Sequence, residues 1–235
     1  MVDLFIETGF AKDVESSMRR VVLTAWIAFL AVAGSAAAEP LTGKVVTRAR
    51  PGVEPAVAIV YATPVTGTAP ARPARFTMTQ KEKAFLPRVL VVPVGSTVDF
   101  PNADPIFHNV FTLSTPGPFD LGLYRGGATK ARVFTEPATY RVFCNIHPQM
   151  TALLAVVPSP YFTMAERGEF RLDVPPGAYR LTVFSERAAP VTDEIRVGPG
   201  GATAPDVALD ESSVVPTDHK NKYGQPYSKD AYSPK

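Results

Sequence analysis

Prolines stand throughout the chain, 24 in 235 residues, and no stretch after residue 38 carries a sustained helical period. Proline in a helix interior removes a hydrogen bond and clashes with the preceding turn, so such a chain is pushed toward short extended segments. Runs rich in Val, Phe and Thr fill the spaces between the prolines. They cover 41–48, 56–62, 76–78, 88–94, 97–100, 108–113, 130–135, 138–144 and 151–157, broken by Gly, Pro and Asn-Asp turns. This pattern predicts an all-β protein with an antiparallel β-sandwich in the middle of the chain. A second alternating pattern follows in 168–174 and 178–184. The turn Pro175-Pro176-Gly177 between them predicts a hairpin with one apolar face. With strands at 194–197 and 207–209 and the runs before residue 66, it predicts a second, small sandwich of 41–66 and 159–210. A lone hairpin is marginal in water, so the two flanks are expected to pair as one discontinuous domain.

The only cysteine lies in Tyr140-Arg-Val-Phe-Cys-Asn-Ile-His-Pro-Gln-Met150, which places Cys144, His147 and Met150 within seven residues. A thiolate, an imidazole and a thioether form a soft donor set that suits copper better than calcium, magnesium or manganese. The chain has three histidines, and His108, at the start of a strand-like run, is the candidate second imidazole. Two His, one Cys and a weak axial Met are the donors of a blue-copper electron-transfer centre. Zinc would use the Cys and His but leaves the Met at +6 without a role. A Cys nucleophile with a His base lacks an evident orienting third group. Oxidase or nitrite-reductase chemistry needs further histidine-bound copper than three histidines supply, which argues against an enzyme.

At these residues the chain resembles the cupredoxins, the type 1 copper proteins of the plastocyanin and amicyanin group. The likeness rests on Cys-x-x-His-x-x-Met with Pro148 after the histidine, on Val94-Gly95-Ser96-Thr97-Val98-Asp99-Phe100-Pro101-Asn102-Ala103-Asp104, and on His108-Asn109-Val110. It covers about 76–157 and implies a Greek-key β-sandwich over 74–158. It implies copper held by His108, Cys144, His147 and Met150, with Asn109 hydrogen-bonding between the two ligand-bearing segments rather than binding metal. The phrase Gly-x-Phe-x-Leu-x-Val-Pro-Pro-Gly-x-Tyr-x-Leu-x-Val resembles transthyretin-like regulatory domains found beside carboxypeptidases. The resemblance implies a one-electron carrier between redox proteins such as a cytochrome c or a dehydrogenase. A copper-sequestering or docking module is the alternative that the extra sandwich keeps open.

Met18-Arg19-Arg20, the apolar run 21–33 and Ala36-Ala37-Ala38 have the order of a secretory leader, so 1–38 is expected to be cleaved and the protein exported, to the periplasm in a bacterium. Acidic residues before Met18 make Met18 a candidate start. The apolar run is shorter than the roughly 20 residues that span a bilayer, so no membrane span is expected after cleavage. Cleavage removes three basic and four acidic groups and leaves 21 Lys and Arg against 18 Asp and Glu. Those basic residues are scattered, which excludes a nucleic-acid surface, and a monomer is expected. A lone thiol in an oxidising compartment is open to oxidation unless a metal occupies it. The polar segment 211–235 is expected to be a disordered tail, with His219 solvated.

Overall fold

The computed structural model describes residues 37–215 and 219–227. The leader expected over 1–38, apart from its last two residues, lies outside them, as does the tail beyond residue 227. The described residues contain eighteen strands and no helix, as the prolines require. Among them no helix is long and apolar enough to cross a membrane.

The first flank supplies β1 (Glu39–Arg48) and β2 (Ile59–Pro64). The middle supplies β3 (Arg75–Thr77), β4 (Thr79–Lys81), β5 (Ala84–Leu86), β6 (Val89–Pro93), β7 (Thr97–Pro101), β8 (His108–Thr112), β9 (Phe119–Tyr124), β10 (Thr129–Val133), β11 (Ala138–Phe143) and β12 (Thr151–Val157). The second flank supplies β13 (Tyr161–Met164), β14 (Glu169–Val174), β15 (Gly177–Phe184), β16 (Val191–Val197), β17 (Ala202–Thr203) and β18 (Val207–Asp210).

Strands of the two flanks pair across more than a hundred residues of sequence. β1 runs antiparallel to β14, with Leu41 opposite Leu172, and parallel to β17 and then β18, with Val45 opposite Val207. The facing sheet has the order β13-β2-β15-β16. Between the sheets lie Leu41, Val60, Phe170, Leu172, Leu181 and Val183.

The hairpin expected over 168–184 does not form. β14 bonds to β1 in one sheet, whereas β15 bonds to β2 and β16 in the other. Each strand has one apolar face, and a hairpin would lay those faces side by side, still uncovered. The Pro-Pro-Gly connection instead arches between sheets, so Phe170, Leu172 and Val174 meet Tyr179, Leu181 and Val183 in one core. The Tyr179 hydroxyl closes the arch by donating to the Pro175 carbonyl at 2.7 Å. β1 and β2 likewise lie in different sheets.

The middle of the chain forms another pair of sheets, β10-β7-β3 and β6-β12-β11-β8-β9, around Val92, Phe100, Val110, Phe134 and Leu154. A separate hairpin, β4-β5, turns at Glu82 and Lys83, both at φ 55°. The outer faces of β6 and β12, with Val89, Val91, Leu153 and Ala155, pack on Ile59 and Phe184 of the flanking sheet. Fully burying such side chains contributes about 1.5–3 kcal/mol each, so this seam is an integral part of the fold.

β11 and β12 pair up to Phe143 opposite Thr151, leaving 144–150 as the loop between them. β8 pairs antiparallel with β11 at Phe111 opposite Phe143. Counting back along that register brings His108 level with the loop. Residues far apart in sequence therefore meet at one pole of the middle sandwich.

Candidate metal centre

His108, Cys144 and His147 converge at that pole. The two Nδ1 atoms are 3.0 Å apart, and the Cys144 sulfur lies 3.9 Å from Nδ1 of His108 and 3.7 Å from Nδ1 of His147. A triangle with these sides has its centre about 2.1 Å from each corner. Bonds from a transition metal to imidazole or thiolate are about 2.0–2.3 Å. The donor set and its size therefore fit one soft or borderline metal ion, copper among them.

His108 and Cys144 are fully buried, and His147 is partly exposed. Met150 is fully buried at the end of the loop. Its N–H donates to the His147 carbonyl at 3.0 Å, and its carbonyl accepts from the Cys144 N–H at 3.2 Å. Those two bonds curl the loop so that its first, fourth and seventh residues sit close together.

Asn109 ties β8 to the loop. Its backbone N–H points at the Cys144 sulfur at 3.4 Å, and its side-chain oxygen accepts from the Asn145 N–H at 3.3 Å. Its amide nitrogen donates to Asp120 at 2.6 Å, which fixes the orientation of the side chain.

Asp104, part of the Asn-x-Asp stretch but not among the residues picked out from the sequence, is a further member of the site. One of its carboxylate oxygens accepts from Nε2 of His108 at 2.7 Å. Both oxygens also accept backbone N–H groups, from Glu82 at 2.6 Å and from Lys83 at 2.9 Å. The turn with two positive-φ residues thus points its amides at this carboxylate. Asn102, also buried, holds the Asp104 segment by accepting its N–H and donating to the carbonyls of Ile106 and Tyr124. Gly126 lies directly against the Asp104 carbonyl, where any Cβ would collide. The sequence signal was the acid four residues before a histidine, a spacing with no strong meaning outside a helix.

Electrostatics prepares the donors. Burial alone would raise the Asp104 carboxyl, but the Lys83 and Glu82 amides and His108 outweigh it and hold it below the ordinary range. The ionised acid fixes the proton of His108 on Nε2, which leaves Nδ1 with a lone pair facing the centre. Burial, aided by His108 and Lys83, pushes His147 down to about 4, so its ring is neutral near pH 7. Burial pushes the Cys144 thiol up, against the N–H groups of Ile146, Asn109 and His147.

The segment expected to be a disordered tail behaves differently over 211–215 and 219–227. Glu211 is buried and accepts the Ala56 N–H at 3.0 Å and the Ser185 hydroxyl. His219, expected in solvent, stacks on Phe143 with ring centres 4.1 Å apart and planes 20° from parallel. Tyr227 donates to the Cys144 carbonyl at 3.0 Å. Composition hid these contacts, because a few anchoring side chains carry them and no apolar run does.

No family model and no curated protein matches the chain. Among solved structures it is similar to a purple cupredoxin from Nitrosopumilus maritimus, at 25% identity over 34% of this chain and 98% of that one, with a TM-score of 0.32. It is similar to a copper-containing nitrite reductase from Thermus scotoductus at 26% identity, over 48% of this chain and 28% of the enzyme, with a TM-score of 0.34. A reduced amicyanin variant is 22% identical over 41% of this chain and 99% of its own, with a TM-score of 0.34.

Proposed function

We propose that this chain is an exported type 1 copper protein that carries single electrons between redox partners. The observation that supports this most is the convergence of two imidazole nitrogens and the cysteine sulfur on a point about 2.1 Å from each, sized for a metal. His108, Cys144 and His147 would hold the metal, with Met150 as the weak axial donor that tunes its potential. Copper held there supplies a one-electron couple.

The residues around the donors do the rest. Asp104 keeps the Nδ1 lone pair of His108 directed inward, and desolvation keeps His147 uncharged. Cys144 gives up its proton when it binds, and the Asn109 N–H at 3.4 Å offsets part of the resulting charge on sulfur. The strands on either side hold the donors nearly fixed, so little has to rearrange when charge changes.

His147 is the partly exposed donor, and Ile106 and Phe107, which directly precede His108 in the chain, expose 37% and 53% of their surface. Apolar surface of this kind suits the brief docking of a cytochrome c or a dehydrogenase, for which an interface under about 1,200 Å² is enough. The reading is of a carrier rather than an enzyme. Two histidines lie in the donor cluster and the third, His219, stacks on Phe143.

Voltammetry of the copper-loaded protein tests the proposal. A reversible one-electron wave, together with electron exchange with a soluble cytochrome c, is the expected result. An irreversible wave with copper passing readily to a chelator would put sequestration or delivery in its place.

A further inference from the structure

Residues 219–227 return across the loop between β11 and β12 and meet three of its residues. His219 Nε2 bonds to the Pro148 carbonyl while the ring covers Phe143. The Lys222 N–H donates to the Asn145 side-chain oxygen at 2.9 Å, and its ammonium reaches Asp120 at 2.8 Å. The Tyr227 hydroxyl donates to the Cys144 carbonyl, and its ring meets His219 edge-on at 5.0 Å. Asn145 and Asp120 are also the partners of Asn109. The tail therefore joins the same hydrogen-bond network that ties β8 to the loop.

We propose that 219–227 is a latch that fixes the conformation of the loop 144–150, with His219 and Tyr227 as its positioning residues. The loop's internal backbone bonds run from Cys144 to Met150 and from Met150 to His147. The latch adds bonds at Cys144, Asn145 and Pro148, between and beside those positions. The His219 stack on Phe143 and the Lys222–Asp120 ion pair hold it to the sandwich, and the His219–Tyr227 contact braces it internally, without an apolar core of its own. None of the latch's side chains lies in the three core clusters, although opening it uncovers the Phe143 ring at the end of β11. A device of this kind sets how firmly three of the proposed copper donors are presented. That consequence rests on the copper reading, whereas the mechanical role does not.

The test compares the full chain with its His219→Ala/Tyr227→Phe double variant. In the metal-free proteins, amide hydrogen exchange is followed over residues 144–150. Losing two anchoring hydrogen bonds and a stack is expected to speed that exchange about tenfold while the urea midpoint stays put. After loading with Cu(II), loss of copper to a chelator should also be about tenfold faster and the visible band shifted. His219→Phe, which keeps the stack, should recover part of both effects. Exchange and copper loss within twofold of the parent would overturn the latch, as would a fall in the urea midpoint large enough to explain the faster exchange. A parent that binds no blue copper, yet shows the exchange difference, would sink the electron-carrier reading and leave the latch standing.

Discussion

The two sandwiches are built from similar materials and use their buried polar groups differently. In the flanking sandwich those groups close joints. The Ser159 hydroxyl bonds to the Ala62 carbonyl, Thr182 meets Thr192 at 3.3 Å, and Glu211 gathers the Ala56 amide and the Ser185 hydroxyl. In the middle sandwich, Asn102, His108 and Asn109 collect at one pole, where two ring nitrogens and a sulfur face a common point. Buried polar atoms are ordinarily matched within the protein. Among the described residues the flanking sandwich follows that habit, whereas the middle one leaves Gln80 Oε1 and Arg132 Nε without a partner and gathers three donor atoms at its pole. A β-sandwich thus provides a pole where loops meet, and only local side-chain chemistry makes that pole a site.

The largest expected effect comes from removing the sulfur. Cys144→Ser should abolish intense visible absorption in the copper-loaded protein while the circular dichroism of the sheets is retained. A surviving blue band would remove Cys144 from its role. Next comes the acid behind His108. Asp104→Asn weakens the bond that directs Nδ1 inward, and loss of such an outer hydrogen bond lowers metal affinity by about 10–100-fold. Competition with a chromophoric chelator measures it, and an unchanged affinity would mean that backbone geometry alone positions His108.

The flanking sandwich should respond in the opposite way. Glu211→Ala leaves the Ala56 amide and Ser185 hydroxyl without their acceptor and should cost about 2–3 kcal/mol of stability. The copper spectrum should not change. A spectral change in this variant would break the division between a closing role in one region and a binding role in the other.

The smallest effect is a pH dependence of the metal-free protein. An unfolded imidazole takes up a proton near its ordinary value of 6.5, whereas folded His147 resists until about 4. Between those values the unfolded state holds more protons, so the stability that neutral His147 contributes is lost as pH is lowered from about 6.5 to about 4. Urea midpoints across that range check the sign. A midpoint that holds steady or rises on acidification would show that His147 is not desolvated.

How much of this was legible in the sequence depended on how local the signal was. Cys144, His147 and Met150 share one seven-residue loop, so their spacing could be read directly, and the scarcity of histidine pointed to His108. The all-β class followed from proline placement and short Val-rich runs. Strand partners were not legible in the same way. The alternation in Phe170, Leu172 and Val174 says that one face is buried but not which strand it pairs with, and an arch reads like a hairpin. Asp104 escaped notice because its link to His108 depends on a turn at Glu82 and Lys83 that lies more than twenty residues upstream. The contacts of His219, Lys222 and Tyr227 escaped because single polar anchors leave no periodic trace.

The central claim is that this pole of the middle sandwich is a preorganised copper site, and one spectrum tests it. Residues 39–235 would receive one equivalent of Cu(II), followed by visible absorption and paramagnetic resonance. An intense blue band with a narrow copper hyperfine splitting is the predicted result. A pale spectrum with the wide splitting of ordinary Cu(II) would contradict it, because donors held at 3.0–3.9 Å from one another would then not be imposing their geometry on the metal.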